Sequence, residues 1–126
     1  MKTASELVAS AKARIQEIDV SAAETAIAAA DLLIDVREAD EFTAGHIPGA
    51  TPIPRGLLEF SLSSAPEYDS RTLKIVLYCK ASGRAALAVC ALQDMGYTDV
   101  QSISGGFDAW AAAGKPIAKP SLPRFD

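Results

Sequence analysis

Cysteine and histidine are scarce in this chain, with two cysteines, Cys79 and Cys90, and one histidine, His46, among 126 residues. Two cysteines do not make the dense framework of a disulfide-stapled protein. They do not suit a single bridge either. Cys90 falls inside an expected helix, about 9 Å along it from Arg84 at ~1.5 Å per residue, whereas a disulfide needs Cα atoms within about 7 Å. No apolar run approaches the ~20 residues of a membrane span. Charges scattered through residues 1–18 argue against a secretory signal. A basic surplus is also missing: the formal net charge of −4 argues against a general nucleic-acid binder. No internal repeat or low-complexity segment is present, and neither a metal nor a cofactor is expected. These absences leave a chain expected in the cytoplasm, with the 49% hydrophobic and 22% charged residues usual for a globular protein. At this length it forms one domain, able to bury roughly two thirds of the surface its unfolded form exposes.

Residues 4–18 carry Leu7, Val8, Ala11, Ile15 and Ile18 near one helical face, and Thr3-Ala4-Ser5-Glu6 has the spacing of a capping box. A short strand is expected at 18–20, then a helix capped through Ser21-Ala22-Ala23-Glu24. Residues 32–36 read as a buried strand, followed by a short helix at 40–43 that Gly45 stops. The turn residues Gly45-His46-Ile47-Pro48-Gly49-Ala50 lead to a strand near 51–53 and a helical turn at 55–60. Residues 61–71 are polar and irregular, the best candidate for a mobile loop. The apolar run 73–77 is a strand and 84–95 a helix, with Gly96 just past its end. A strand at 100–103 and a helix from Gly105 to Gly114 complete the pattern. Strands alternating with helices predict an α/β fold, an open and mainly parallel sheet of about five strands covered on both faces.

Within that pattern, Cys79-Lys80-Ala81-Ser82-Gly83-Arg84 sits where a parallel strand ends and a helix begins. Open α/β sheets bind ligands at that edge. The N–H groups of a tight loop and of the helix start form an anion cradle. Such a field favours thiolate over thiol, lowering the usual cysteine pKa of about 8.5. Lys80 and Arg84 add positive charge on either side. A cysteine is more often a small core hydrophobe than a catalyst. The junction and the basic loop argue instead for Cys79 as an activated nucleophile. Cys90, mid-helix, reads as core packing, with a resolving thiol as the alternative.

Other polar residues have both a functional and a structural reading. Asp35, at a strand end, is suited to orient an arginine by a bidentate pair, either Arg37 or Arg84. Lys80 and Arg84 would draw in an anionic substrate, or else be solvated loop charges. Arg55 would line the mouth or lie on the surface. His46, in a Pro/Gly turn, holds that turn through its ring nitrogens rather than serving as a base. Phe107 and Trp110 stand at helical spacing and read as core.

Taken together, Asp35-Val36-Arg37-Glu38 with Glu41-Phe42, Gly45 to Ala50, Cys79 to Arg84, and Gly105-Gly106-Phe107-Asp108-Ala109-Trp110 resemble the rhodanese-like sulfurtransferase family, in its order and spacing. The resemblance divides the chain into a helical extension at 1–17, a rhodanese-like domain at 18–117 and a tail at 118–126. It implies a thiosulfate sulfurtransferase-like enzyme whose Cys79 takes a sulfane sulfur as a persulfide and passes it to cyanide or a thiol. Backbone N–H groups from Lys80 through Ala81, Ser82 and Gly83 to Arg84 would hold the negative sulfur. Its partners would be a small anionic sulfur donor such as thiosulfate and a thiol or cyanide acceptor, with a sulfur-relay protein left open. Nucleic acid and membrane are not expected. The chain departs from the family at Ser82, where a glycine is common. Either the cradle is distorted there, or Ser82 sits in an ordinary conformation and lends its hydroxyl. Two alternatives remain, a non-catalytic binding module on the same fold, and a cysteine phosphatase or arsenate reductase. The latter enzymes use Cys-x5-Arg, one residue longer than the Cys-x4-Arg found here.

Overall fold

A computed structural model describes residues 1–120. Residues 121–126 of the expected tail lie outside the described residues. Five strands form one parallel sheet: β1 (Gln16–Ile18), β2 (Leu32–Asp35), β3 (Thr51–Pro52), β4 (Lys74–Tyr78) and β5 (Asp99–Ile103), in the order β1-β5-β4-β2-β3. Among the described residues six α-helices accompany them: α1 (Ala4–Lys12), α2 (Val20–Ala29), α3 (Ala39–Ala44), α4 (Leu58–Ser64), α5 (Gly83–Asp94) and α6 (Gly106–Ala112). The α/β class, the parallel sheet and the helices on both faces are as the residue pattern predicts.

Alternation along the central strand builds both halves of the core. Ile75 and Leu77 of β4 face one way, packing with Leu58, Leu62, Ala85, Ala88, Val89 and Leu92 of α4 and α5. Val76 and Tyr78 face the other way, toward Ala23 of α2, Ile47 and Trp110 of α6. Successive side chains of a strand point to opposite faces, so a strand covered on both sides must be apolar throughout. Lys74 escapes this because it opens the strand and is exposed.

After β2 the chain turns outward to the edge strand β3, then crosses back to β4 on the other side of β2. That reversal leaves a crevice beyond the carboxyl ends of β2 and β4. Asp35, Val36 and Arg37 leave β2 there, and Cys79 follows β4. The Val36 N–H donates to the Tyr78 carbonyl, tying the two strand ends together.

Four local expectations are corrected. The first helix stops at Lys12 instead of running to residue 18, although Thr3 and Glu6 form the expected capping box. Residues 16–18, not 18–20, are the strand, because their backbone pairs with Gln101 to Ile103 of β5. Sheet hydrogen bonds outweigh a helical spacing of apolar residues that continues past the helix. The next helix begins at Val20, capped by Asp19, whose carboxylate accepts the Ser21 N–H; Ser21 is not the cap. Residues 61–71, expected to be mobile, are built into the fold. They hold the end of α4 and a 3-10 turn at Pro66–Tyr68. The Tyr97 hydroxyl donates to the Tyr68 carbonyl at 2.6 Å, and Arg71 stacks on the Tyr97 ring while bonding the Met95 carbonyl.

The described part of the tail is fastened. The Trp110 indole donates to the Pro116 carbonyl, and Ala118 pairs with His46 as an antiparallel bridge. No helix among the described residues is long and apolar enough to cross a membrane.

Candidate active site

Cys79 is buried at the carboxyl end of β4, and the Ala85 N–H of α5 lies 3.4 Å from its Sγ. The six-residue loop wraps the start of α5, with Ser82 at the N-cap position. Ser82 has φ −150° and ψ −16°, outside the left-handed region that favours glycine but in neither the helical nor the extended region, and its side chain makes no capping hydrogen bond. No non-glycine residue has positive φ among the described residues, so Ser82 does not adopt the positive φ for which a glycine would be needed. Among those residues, too, no protein acceptor meets the N–H groups of Lys80, Ala81 and Ser82. These are the free donors that a bound anion would require.

Two carbonyls of the same loop, those of Cys79 and Lys80, are taken by α6. The Phe107 N–H donates to the Cys79 carbonyl at 2.8 Å, and the Asp108 N–H to the Lys80 carbonyl at 3.0 Å. The loop is thereby clamped with these two carbonyls turned into the protein. Gly106 makes this approach possible: φ is +54°, and a Cβ there would lie 2.3 Å from the Cys79 carbonyl oxygen.

Of the two arginines suited to Asp35, the structure selects Arg37. Asp35 is fully buried and Arg37 nearly so, joined by Nη2–Oδ2 at 2.8 Å and by Nε to both carboxylate oxygens. The guanidinium also donates to the Gly45 carbonyl and lies 4.4 Å from the Phe107 ring centroid. Burial opposes the charge on Arg37, but Asp35 more than offsets it, and the pKa is raised. Arg37 therefore ties β2, the Gly45 turn and α6 into one frame around the loop.

Arg84 is taken by Glu41. The two make a bidentate pair, Nη1–Oε1 at 2.7 Å and Nη2–Oε2 at 3.1 Å, across 43 residues of chain. Glu41 Oε1 also accepts the Glu38 N–H at the start of α3. The Arg84 hydrogen bonds hold the Glu41 carboxyl at about 2, against an ordinary 4.5, and Glu41 in turn raises Arg84. Lys80 pairs with Asp108 at 2.7 Å, both side chains more than half exposed. A shallow cleft of about 260 Å³ lies beside the loop, lined by Arg37, Glu41, Ala44, Gly45, Lys80, Phe107 and Asp108.

The remaining residues stand apart. Arg55 bonds Glu59 and lines a groove with Leu87 and Cys90 on the outer side of α5, away from the cleft. Cys90 is buried, with its Sγ on the Ala11 carbonyl at 3.8 Å, and both cysteines are free thiols. The His46 ring stacks on Phe42 and bonds its carbonyl through Nδ1, a structural role in the turn. Trp110 is core, whereas Phe107, expected as core, is only partly buried and forms a wall of the cleft. Glu41, Gly106 and Asp108 were given no role by the sequence. Each belongs to a motif with a recognisable pattern, but only the folded chain shows which residue each one meets.

The family model for the rhodanese-like domain matches residues 12–113. A protein named sulfurtransferase from Allochromatium vinosum is 35% identical over 89 residues, covering 71% of this chain and 79% of its own length. Thiosulfate sulfurtransferase 16, chloroplastic, of Arabidopsis thaliana is 32% identical over 107 residues, covering 79% and 89%. The chain spans only 21% of the length of two further curated relatives and 47% of a third. Among solved structures, a Rhodopseudomonas palustris protein of unknown function, described as a possible tyrosine phosphatase, superposes with a TM-score of 0.85. It shares 31% identity, over 94% of this chain and 96% of its own.

Proposed function

The chain belongs to the rhodanese-like domain family, and on that premise we propose that it is a sulfurtransferase working through a Cys79 persulfide. The thiolate attacks the outer sulfur of a sulfane donor, thiosulfate or a persulfide. The bond from that sulfur to the rest of the donor breaks, and sulfite or a thiolate leaves with the bonding pair. A thiol or cyanide then takes the sulfur from Cys79, whose thiolate is restored. No external oxidant or reductant enters, and no proton transfer is required in the first step. This suits a site whose only histidine is occupied in a structural turn.

The observation that carries this reading is the division of the loop's backbone. The Cys79 and Lys80 carbonyls are bonded to α6, while among the described residues the N–H groups of Lys80, Ala81 and Ser82 have no protein acceptor and the Ala85 N–H lies on the sulfur. Fixed donors of this kind stabilise negative charge on sulfur without reorganising. The free thiols suit a reducing, cytoplasmic compartment, where we place the protein.

The description of the Rhodopseudomonas neighbour raises the phosphatase alternative. Loop length opposes it, since six residues from Cys79 to Arg84 enclose less space than the seven of Cys-x5-Arg. Intact mass after incubation with excess thiosulfate tests the proposal. A gain of one sulfur atom is expected, removable by cyanide or a reductant, retained in Cys90→Ala and absent in Cys79→Ser. No adduct on a folded wild-type chain would favour a non-catalytic binding module. An adduct mapping to Cys90 would overturn the assignment.

A further inference from the structure

The cations of the loop, and Arg37 beside it, are all answered by carboxylates. Arg84 is held by Glu41 at 2.7 Å, Lys80 by Asp108 at 2.7 Å, and Arg37 by Asp35 at 2.8 Å. Glu38 acts on Arg84 as a further negative charge. Two of these carboxylates, Glu41 and Asp108, line the cleft itself. The surrounding protein carries a net charge of −4. A site built to collect a small dianion would leave its cations unpaired and set them in a positive field. This one provides neutral backbone donors for a single negative sulfur and sets two carboxylates in the cleft beside the loop.

From this arrangement we infer that the domain selects sulfane-sulfur donors with one negative charge, persulfides of thiols above all, and discriminates against the thiosulfate dianion, with Asp108 and Glu41 as the specificity-determining residues. This rests on the Cys79 persulfide reading and narrows its donor. In the transfer, Cys79 Sγ bonds to the outer sulfur of R–S–S⁻, the S–S bond of the donor breaks, and RS⁻ departs. One negative charge enters on the donor and one leaves on the thiolate. Discrimination is by repulsion of the wrong substrate, which needs no contact to the right one. Lys80 and Asp108 are more than half exposed, so solvent and salt moderate the effect.

Thiosulfate and methanethiosulfonate test the inference. Both deliver a terminal sulfur with an oxidised-sulfur leaving group, and they differ by one charge. The kcat/KM for each is measured in wild type and Asp108→Asn and divided by the donor's rate with a small free thiolate. Wild type should prefer the monoanion by at least about tenfold. Asp108→Asn, at an exposed position that preserves shape, should raise kcat/KM for thiosulfate by roughly three- to tenfold relative to methanethiosulfonate. Added neutral salt should narrow the wild-type preference in the same direction. Equal use of the two donors by wild type, or an Asp108→Asn ratio unchanged from wild type, would overturn the charge selection while leaving the sulfurtransferase reading intact. If neither donor adds sulfur to Cys79, the persulfide reading falls and the inference falls with it.

Discussion

Gly106 stands against the carbonyl of Cys79 so closely that no side chain fits between them. A Cβ on Gly106 would lie 2.3 Å from the Cys79 oxygen, 2.4 Å from that of Ala81 and 2.9 Å from that of Lys80. The last helix and the reactive loop are therefore in backbone contact. The position of Cys79, the proposed nucleophile, depends on a residue 27 places later in the chain, which has no chemistry of its own.

Gly106→Ala should accordingly disturb the loop as well as the helix. The methyl group meets three carbonyl oxygens, and φ of +54° disfavours any L-residue. Together these should cost about 2–5 kcal/mol. Denaturant unfolding measures the stability. The rate of persulfide formation on the fraction that remains folded should fall at least tenfold, because the loop donors move off the sulfur. Full activity in a stable Gly106→Ala protein would show that the clamp is not needed.

Asp35 and Arg37 form a pair removed from water, so losing one partner strands the other as a buried charge. Asp35→Ala should destabilise the fold by about 3–5 kcal/mol. Arg37→Met should lose a similar amount, since it also frees the Gly45 carbonyl and the Phe107 face. Equilibrium unfolding of both single variants and the double variant measures the coupling. A double variant less damaging than the sum of the singles is expected.

The Glu41–Arg84 pair should give stability a defined pH dependence. Glu41 titrates near 4.5 ordinarily and at about 2 in the fold, chiefly through its Arg84 hydrogen bonds. A depressed folded value means the contribution is complete above the ordinary value and disappears as pH falls from about 4.5 through about 2. Glu41→Gln should be less stable than wild type by about 1–2 kcal/mol at pH 7, after allowance for partial exposure. The gap should close as the pH is lowered through that window, as followed by urea denaturation. A gap independent of pH would separate Glu41's packing from its charge.

Loop length should decide between sulfur and phosphorus chemistry. Donors stabilise charge well only within about 2.7–3.1 Å of the atoms that bear it, so the size of the cradle selects the anion. The wild-type chain should not hydrolyse a small aryl phosphate. A glycine inserted after Ser82 should slow persulfide formation at least tenfold by moving the Ala85 N–H off the sulfur. Wild-type hydrolysis of the phosphate ester, with no sulfur transfer, would reverse the assignment.

By itself the sequence determined the α/β pattern and the place of Cys79 within it. Those properties are local. A strand buried on both faces must be apolar, a helix needs its run of helix formers, and Gly96 with φ +98° ends α5 as only a residue without Cβ readily does. The cysteine loop was legible because strand, loop and helix are contiguous. Pairing across the chain was not. Asp35 was suited to either Arg37 or Arg84; Glu41 takes Arg84, leaving Asp35 to Arg37, while Asp108 takes Lys80. Those partners lie 43 and 28 residues away, at distances set by how α3 and α6 pack on the sheet. The same cause ended the first helix at Lys12 and ordered residues 61–71. In each case a hydrogen bond to a distant strand or tyrosine outweighed a weak local preference, and such bonds exist only once the chain is folded.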